Sequence, residues 1–270
     1  MRAALFARDF SPKISQEADK LSSSLVKAGI GIAGRFTIGG PLPQADIILS
    51  LGGDGTLLSL LPVIKDSGVP VLGVNFGRLG FLSSSSPSEI VEALAGGNFT
   101  IEKRTLVRVS EAGLPEGMYP YALNEIAVHR KGAAMLGIEV FVDGVPLPVY
   151  WADGMLVATS SGSTAYSLSV GGPIVFPGSK VLIVSPIAPH NLNVRPIVLP
   201  DISDIKIKLH PRDPEVSFSL DNRQLSLGSG LEFRVSAAPF AFNIVRIPGG
   251  EFMKALTGKL FWGYDIRNNS

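Results

Sequence analysis

The sequence contains no cysteine. That excludes disulfides, thiolate metal sites and a cysteine nucleophile, and it is compatible with a reducing compartment. Histidine is scarce too: His129, His190 and His210 show no metal-ligand spacing such as H-E-x-x-H. Neither sign of charge dominates. Lys plus Arg number 24 against 23 Asp plus Glu, so no global basic field points to nucleic acid. No apolar run reaches the ~18 residues of a membrane span. The N-terminal MRAALFARDF has too short an apolar stretch for a signal peptide and is broken by Arg8 and Asp9. These absences predict a cytoplasmic protein with no nucleic-acid or membrane partner. The catalytic vocabulary that remains is carboxylate, hydroxyl and backbone amide.

The chain is organised around Ile47–Leu61, IILSLGGDGTLLSLL. The aliphatic run Ile47–Leu51 suits a buried parallel strand. Gly52-Gly53-Asp54-Gly55-Thr56 follows, and Leu57, Leu58, Leu60 and Leu61 then fit the start of a helix. Strand, glycine turn and helix form a phosphate site, because the glycines let amides approach an anion and the helix N-terminus adds positive charge. This turn lacks a lysine, so it is not a Walker A loop. It places the Asp54 carboxylate where phosphates would lie. A carboxylate there repels phosphate unless it holds a cation or takes a proton from an attacking hydroxyl. An ordinary tight turn with Asp as an N-cap fits the pentapeptide equally well.

Residues 1 to about 100 alternate strand and helix. Ala3–Ala7 reads as a strand, and Ser11-Pro12 opens a helix that Gly29 stops. Gly29–Gly34 matches G-x-G-x-x-G, but it follows a helix and leads into a loop, whereas the dinucleotide fingerprint needs a strand before it and a helix after it. Val69–Val74 is a further strand, leading into Asn75–Leu82 at the carboxyl end where open sheets bind ligands. Ser86-Pro87 starts another helix, which Gly96-Gly97 ends. This pattern is a doubly wound α/β domain. After residue 100 the chain becomes short, β-branched-rich segments, with Asp143-Gly144 and Asp221-Asn222 as hairpin turns. Phe252–Leu256 reads as a final short helix, with a frayed tail from Arg267.

Two further stretches carry polar chemistry. Asp153–Tyr166 holds an acid, an apolar strand, a hydroxyl- and glycine-rich turn, and a helix start at Thr164. Hydroxyls and amides at a helix N-terminus suit phosphate or ribose, and a Ser/Thr-rich loop with caps is the alternative. Gly-x-Ser-x-Gly is absent around Ser163, which argues against a serine nucleophile. Asn124-Glu125 lies inside an apolar strand, Tyr121–Val128. A polar pair there needs hydrogen bonds, from a ligand diol or amide or from neighbouring backbone.

Together these stretches resemble the NAD kinase family. The pieces are GGDGT at 52–56, NFGRLGFL at 75–82, LNE at 123–125, DGMLVATSSGSTAY at 153–166, SVGGPI at 169–174 and SPIAPHNLNVRP at 185–196. The resemblance implies an α/β domain at 1–100, a β-sandwich-like NAD-binding domain at 101–248, and a segment at 249–270 packing back on the first domain, with the active site between the two domains. It implies Mg²⁺-dependent transfer of a terminal phosphoryl group, from ATP or polyphosphate, to the 2′-hydroxyl of NAD's adenosine ribose, giving NADP. Asp54 matches the catalytic acid/base, Gly55 its neighbour at the phosphates, and Gly52, Gly53 and Thr56 the phosphate-donor loop. No metal ligand is assigned directly, Mg²⁺ being held through phosphates. Asn124 and Glu125 match the pair at the ribose and adenine, and Phe81, Asp153, Thr164, Ala165, Tyr166 (by stacking), Ser169 and Ala188 match further substrate contacts. A homodimer or homotetramer is implied.

Some positions depart from the family pattern. Ser160-Ser161 stand where Pro-Thr is common, Trp151 where an arginine is frequent, and Asp221-Asn222-Arg223 where Asp-Gly-Gln is usual. Two other readings of the same residues are a GGDGT-type kinase acting on a lipid or sugar, and a non-catalytic NAD(P) sensor.

Overall fold

The computed structural model describes residues 1–77, 80–83, 85–210, 212–228, 230–248 and 252–260. Arg78 and Leu79 of the Asn75–Leu82 stretch, Ser84, Gly249–Glu251 and the tail from Arg267 lie outside the described residues. The chain forms two units, Met1–Lys103 with Asn243–Ser270, and Arg104–Phe242.

The first unit contains β1 (Arg2–Phe6), α1 (Pro12–Lys27), β2 (Gly31–Phe36), β3 (Ile47–Leu51), α2 (Asp54–Ile64), β4 (Val71–Val74) and α3 (Pro87–Gly96). β1 pairs in parallel with β2 and β3, and β3 with β4. A parallel sheet needs cover on both faces, which is why β3 is apolar at nearly every position. Ala3, Leu5, Ile47, Leu49 and Leu72 pack with Ala18, Leu21 and Leu25 of α1 and Ile90 and Leu94 of α3. The alternate residues Ala4, Phe6 and Ile48 are equally buried. The doubly wound domain expected from the alternation is what forms. Pro12 stands in the first turn of α1, and α3 carries a capping box between Ser86 and Glu89 and ends at Gly97 in left-handed backbone. The glycine stretch does lead into a loop at Gly39-Gly40-Pro41, but its residues from Gly31 form a strand the sequence reading did not include, β2, whose pairing slips between Ala3 and Ala4 of β1. Glycine depresses strand propensity, and here the hydrogen bonds of a sheet edge override it.

The second unit is antiparallel β. It holds β5 (Thr100–Ser110) from Arg104 onward, β6 (Tyr121–Ala122), β7 (Glu125–Arg130), β8 (Leu136–Val142), β9 (Val145–Pro146), β10 (Tyr150–Ala152), β11 (Gly154–Thr159), α4 (Tyr166–Ser169), β12 (Val181–Ile187), β13 (Ile197–Pro200), β14 (Ile205–His210), β15 (Glu215–Leu220) and β16 (Arg223–Gly228). A six-stranded sheet runs in the order β13-β12-β11-β7-β15-β16. Its inward residues Ile126, Val128, Met155, Val157, Leu182 and Phe218 share one core with Ile138, Val140, Ile205 and Ile207 of β8 and β14. This is the sandwich-like arrangement the resemblance implied. On the outer face, Ala127, Leu156, Ala158 and Ile183 pack against Tyr166 and Val170. Asp143-Gly144 and Asp221-Asn222 make the expected hairpin turns, with Asp143 and Asp221 in left-handed backbone at φ 50° and 52°. The last strand, β17 (Glu232–Arg246), pairs antiparallel with β14 within the second unit, and its Ile244 pairs in parallel with Val71 of β4 within the first. α5 (Phe252–Leu260) follows and runs longer than the sequence indicated. No helix among the described residues is long and apolar enough to cross a membrane.

Tyr121–Val128 is not one strand. It breaks at Leu123-Asn124 because a side chain takes the amides a neighbouring strand would have taken. The partly buried Asp221 carboxylate accepts the N–H groups of Leu123, Asn124 and Glu125 at 2.8, 2.7 and 3.2 Å. Arg223, on the far side of the turn, donates to the carbonyls of Tyr119 (2.6 Å) and Tyr121. Asp221→Gly keeps the left-handed backbone unstrained while removing the carboxylate. It strands buried amides at about 1–3 kcal/mol each, so a loss of several kcal/mol is expected in chemical denaturation, with Asp221→Asn falling between. A Gly variant as stable as the parent would show that the amides are satisfied another way.

Candidate functional site

In the first unit the glycine turn folds around Asp54. α2 begins at Asp54 itself, three residues earlier than the apolar series suggested, with Gly53 as its N-cap. Gly52 donates to the Val74 carbonyl (3.2 Å), and Thr56 closes the first helical turn onto the Gly53 carbonyl (2.9 Å). The Gly55 carbonyl accepts from Arg8 at 2.7 Å and from Ser59 at 2.9 Å. Gly52, Gly53, Gly55 and Thr56 therefore stand together as one turn.

The Asp54 side chain reaches the segment after β4. Its carboxylate accepts the N–H of Phe81 on Oδ2 (2.9 Å) and those of Leu82 and Ser83 on Oδ1 (both 3.0 Å). Gly80 permits this approach, because a Cβ there would stand 2.1 Å from Oδ1. Phe81, the predicted contact, is thus joined to Asp54 through its amide, and its ring is buried. A carboxylate offers about four lone-pair directions. Three are taken by amides, and the one left on Oδ2 faces the ammonium of Lys259, 3.7 Å away on α5. The arrangement immobilises a carboxylate at a helix N-terminus and leaves one acceptor direction for a proton or cation. Among the described residues no group of three or more His, Asp or Glu converges to hold a metal. One carboxylate suits a hard cation carried mainly by phosphate oxygens.

In the second unit, Asn124 and Glu125 sit at the bend that Asp221 creates. The Asn124 carbonyl accepts the Thr159 N–H (2.8 Å), and Gly162 lets it come close, since a Cβ there would meet that carbonyl oxygen at 2.1 Å. Glu125 is buried, and its Oε2 has no hydrogen-bond partner. Burial, and then the neighbouring Asp221 carboxylate, push its acid up to about 8, against the pull of the Tyr166 amide. Burial likewise raises Asp221, opposed by the three amides and Arg223.

Tyr166 lies over the outer face of the sheet. Its hydroxyl is 3.0 Å from His129 Nε2, and the two rings stack at 5.5 Å between centroids and 19° between planes. Burial lowers the His129 pKa more than the Asp153 carboxylate raises it, which favours a neutral imidazole. Burial raises the Tyr166 hydroxyl, with the Glu125 and Asp153 carboxylates adding to the shift. Glu125, Asp153, His129 and Tyr166 therefore form one electrostatic group. Asp153 is not free to act alone: Arg130 grips it at 2.6 and 3.3 Å. Trp151, at the position where an arginine is frequent in the family pattern, is exposed, and the guanidinium on Asp153 is that of Arg130 on β7.

The serine-rich turn is used internally. Ser163 bonds the carbonyls of Ser160 (2.8 Å) and Val175 (3.1 Å), and Thr159 bonds the Leu123 carbonyl at 2.6 Å. A 3₁₀ turn over Ser161–Thr164 replaces the helix start expected at Thr164, and α4 is a single turn after Ala165. Dipole arguments for anion binding lose force at that length. Ser169 ends α4 and is exposed. Ala188, after β12, holds left-handed backbone at φ 44°, which costs an alanine about 1–2 kcal/mol. Such strain gathers where a loop is held for a ligand. Sequence reasoning missed Arg130, His129, Asp221 and Lys259. The period of two along β7 was a usable signal only for His129, which that period puts on the same sheet face as Glu125 and Ala127.

Residues 123–247 match the family profile described as the ATP-NAD kinase C-terminal domain, and residues 42–97 that of the N-terminal domain. A NAD kinase of Flavobacterium psychrophilum is 42% identical over 229 residues, 83% of this chain and 78% of that relative. One from Porphyromonas gingivalis is 40% identical over 232 residues, 84% of this chain and 80% of its own. Among solved structures, an NAD kinase from Archaeoglobus fulgidus in complex with ATP superposes with a TM-score of 0.77 at 29% identity, covering 97% of this chain and 99% of that one. Yeast NADH kinase complexed with NADH shares the fold, at TM-score 0.86 and 24% identity over 100% of this chain and 90% of that chain.

The raised Glu125 acid makes stability depend on pH. Between about 4.5 and about 8 the folded protein holds a proton that the unfolded chain has released. Over that window the unfolded state binds fewer protons, so unfolding free energy falls as pH rises, by at most about 1.4 kcal/mol per unit. Glu125→Gln is expected to flatten the decline of Tm across that range. An unchanged slope in the variant would assign the titration to another group.

Proposed function

The chain belongs to the NAD kinase family, and on that premise we propose that it moves the terminal phosphoryl group of ATP onto the 2′-hydroxyl of NAD's adenosine ribose, giving NADP. The observation that carries the chemical part is the Asp54 carboxylate, fixed by three amides at the head of α2 with one acceptor direction left on Oδ2. An unactivated hydroxyl needs in-line placement, a nearby base and neutralisation of phosphate charge. The bond from the terminal phosphorus to its bridging oxygen breaks, and that oxygen leaves on ADP. The ribose oxygen bonds phosphorus, and its proton passes to Asp54. The glycine turn at the head of α2 faces the phosphates, where a helix N-terminus favours negative charge. Mg²⁺, carried on the donor phosphates beside Asp54, would supply charge neutralisation.

In the second unit the buried Glu125, with Oε2 unpartnered, suits a ribose diol or adenine amine, and Asn124 stands beside it. Tyr166, braced on His129, offers a ring face for stacking. Phe81, Asp153, Thr164, Ala165, Ser169 and Ala188 complete the reading of the substrate site. The enzyme works in the cytoplasm as a homodimer or homotetramer, a state that light scattering on the purified protein tests.

The deciding experiment is NADP formation from NAD, Mg²⁺ and either ATP or polyphosphate, read by an NADP-specific dehydrogenase. NADP from ATP supports the reading. No NADP with either donor would transfer favour to a non-catalytic NAD(P) sensor. Asp54→Asn is expected to lower turnover by about 10²–10⁴ while NAD affinity holds. Turnover near that of the parent would remove Asp54 from the base role. Tyr166→Ala should raise the KM for NAD and leave the KM for ATP in place, and an unmoved KM for NAD would show that the ring does not stack.

A further inference from the structure

The glycine turn has no basic residue between Gly52 and Leu61, yet a phosphoryl donor brings several negative charges to it. Among the described residues, two cations approach the turn from distant parts of the chain. Arg8 is committed to protein oxygens, donating to the Gly55 carbonyl and to Ser59 Oγ at 2.7 and 2.9 Å. Lys259 is not. Its ammonium stands 3.7 Å from Asp54 Oδ2, beyond hydrogen-bond length, and among the described residues it makes no hydrogen bond.

Lys259 is nevertheless placed, not trailing. It lies over the Phe81 ring at 4.7 Å from the centroid, a cation–π contact. Phe81 is held in turn by the Phe252 ring at 5.9 Å and by Arg246, which donates to the Phe81 carbonyl at 3.2 Å. Asp54 does not need this ammonium, because three amides already satisfy its carboxylate. A loose, half-exposed ion pair contributes little, so the lysine gives up little by turning to a better anion. It also occupies the acceptor direction on Oδ2 that a substrate proton must use.

From these contacts we infer that Lys259 of α5 is a catalytic residue of the phosphoryl transfer, contacting the terminal phosphate oxygens of the donor and supplying the cation that the glycine turn lacks. The inference rests on the kinase reading above. As the donor enters, the ammonium leaves Oδ2 for the phosphoryl oxygens, and Oδ2 is then open to the hydroxyl proton. A compact ammonium on a flexible stem suits this exchange between two anions.

The test compares the full-length parent with Lys259→Gln and Lys259→Arg. For Gln, kcat/KM for ATP is expected to fall about tenfold to a hundredfold, the loss of a charged hydrogen bond, with the KM for NAD unmoved. Arginine is expected to restore most of that loss. Retention of the parental kcat/KM for ATP in the Gln variant would overturn the inference. So would equal losses towards ATP and NAD that arginine does not rescue, since that pattern belongs to a packing role. Calorimetric titration with ATP separates the two readings. A parent that makes no NADP defeats the kinase assignment alone, and an equal ATP Kd in parent and Gln variant defeats Lys259.

Discussion

Both units depend on the same interaction, three consecutive backbone amides turned onto one carboxylate. Asp54 gathers the N–H groups of Phe81, Leu82 and Ser83, and Asp221 those of Leu123, Asn124 and Glu125. Amides spent in this way cannot enter a sheet ladder, so each carboxylate converts a run of chain into a fixed bend. The bend in the first unit holds Asp54 beside the glycine turn. The bend in the second presents Asn124 and Glu125. A charge-assisted bond to an amide is stronger than a neutral one, and here each site's geometry is held by a cluster of them.

The two carboxylates differ in what surrounds them. Asp54 stands at a helix N-terminus with a lysine nearby, where a negative charge is supported. Asp221 is partly buried beside a second acid, so loss of solvent dominates and both acids are pushed up. One environment leaves an acceptor direction open on a fixed carboxylate. The other leaves the Glu125 Oε2 unpartnered beside a neighbouring acid. Membership of the NAD kinase family accommodates both, whereas a lipid or sugar kinase would share only the first.

The alternation of strand and helix up to residue 100 and the hairpin-rich remainder were legible, because parallel and antiparallel sheets impose different apolar patterns. The turn and helix start at GGDGT were legible because an aliphatic strand, glycines and a new apolar series follow one another in sequence. β2 was not, since Gly31 and Gly34 weaken a strand signal that only pairing with β1 restores. The break in Tyr121–Val128 was invisible because its cause lies about a hundred residues away, in Asp221. Lys259 and Arg130 escaped for the same reason. Each meets its carboxylate through tertiary placement, Lys259 on Asp54 and Arg130 on Asp153, and neither sits at a local spacing that announces it. The serine-rich turn misled in the opposite direction, since its hydroxyls serve carbonyls of their own unit.

The protonation of Glu125 reaches beyond stability. A carboxyl that titrates at about 8 is mostly neutral at physiological pH. A partner whose hydroxyls or amino group prefer the carboxylate must therefore expel a proton as it docks. Association then becomes an exchange, one small molecule in and one hydrogen ion out, tightening as the medium turns alkaline. The heat it releases carries the ionisation enthalpy of whichever buffer receives the proton.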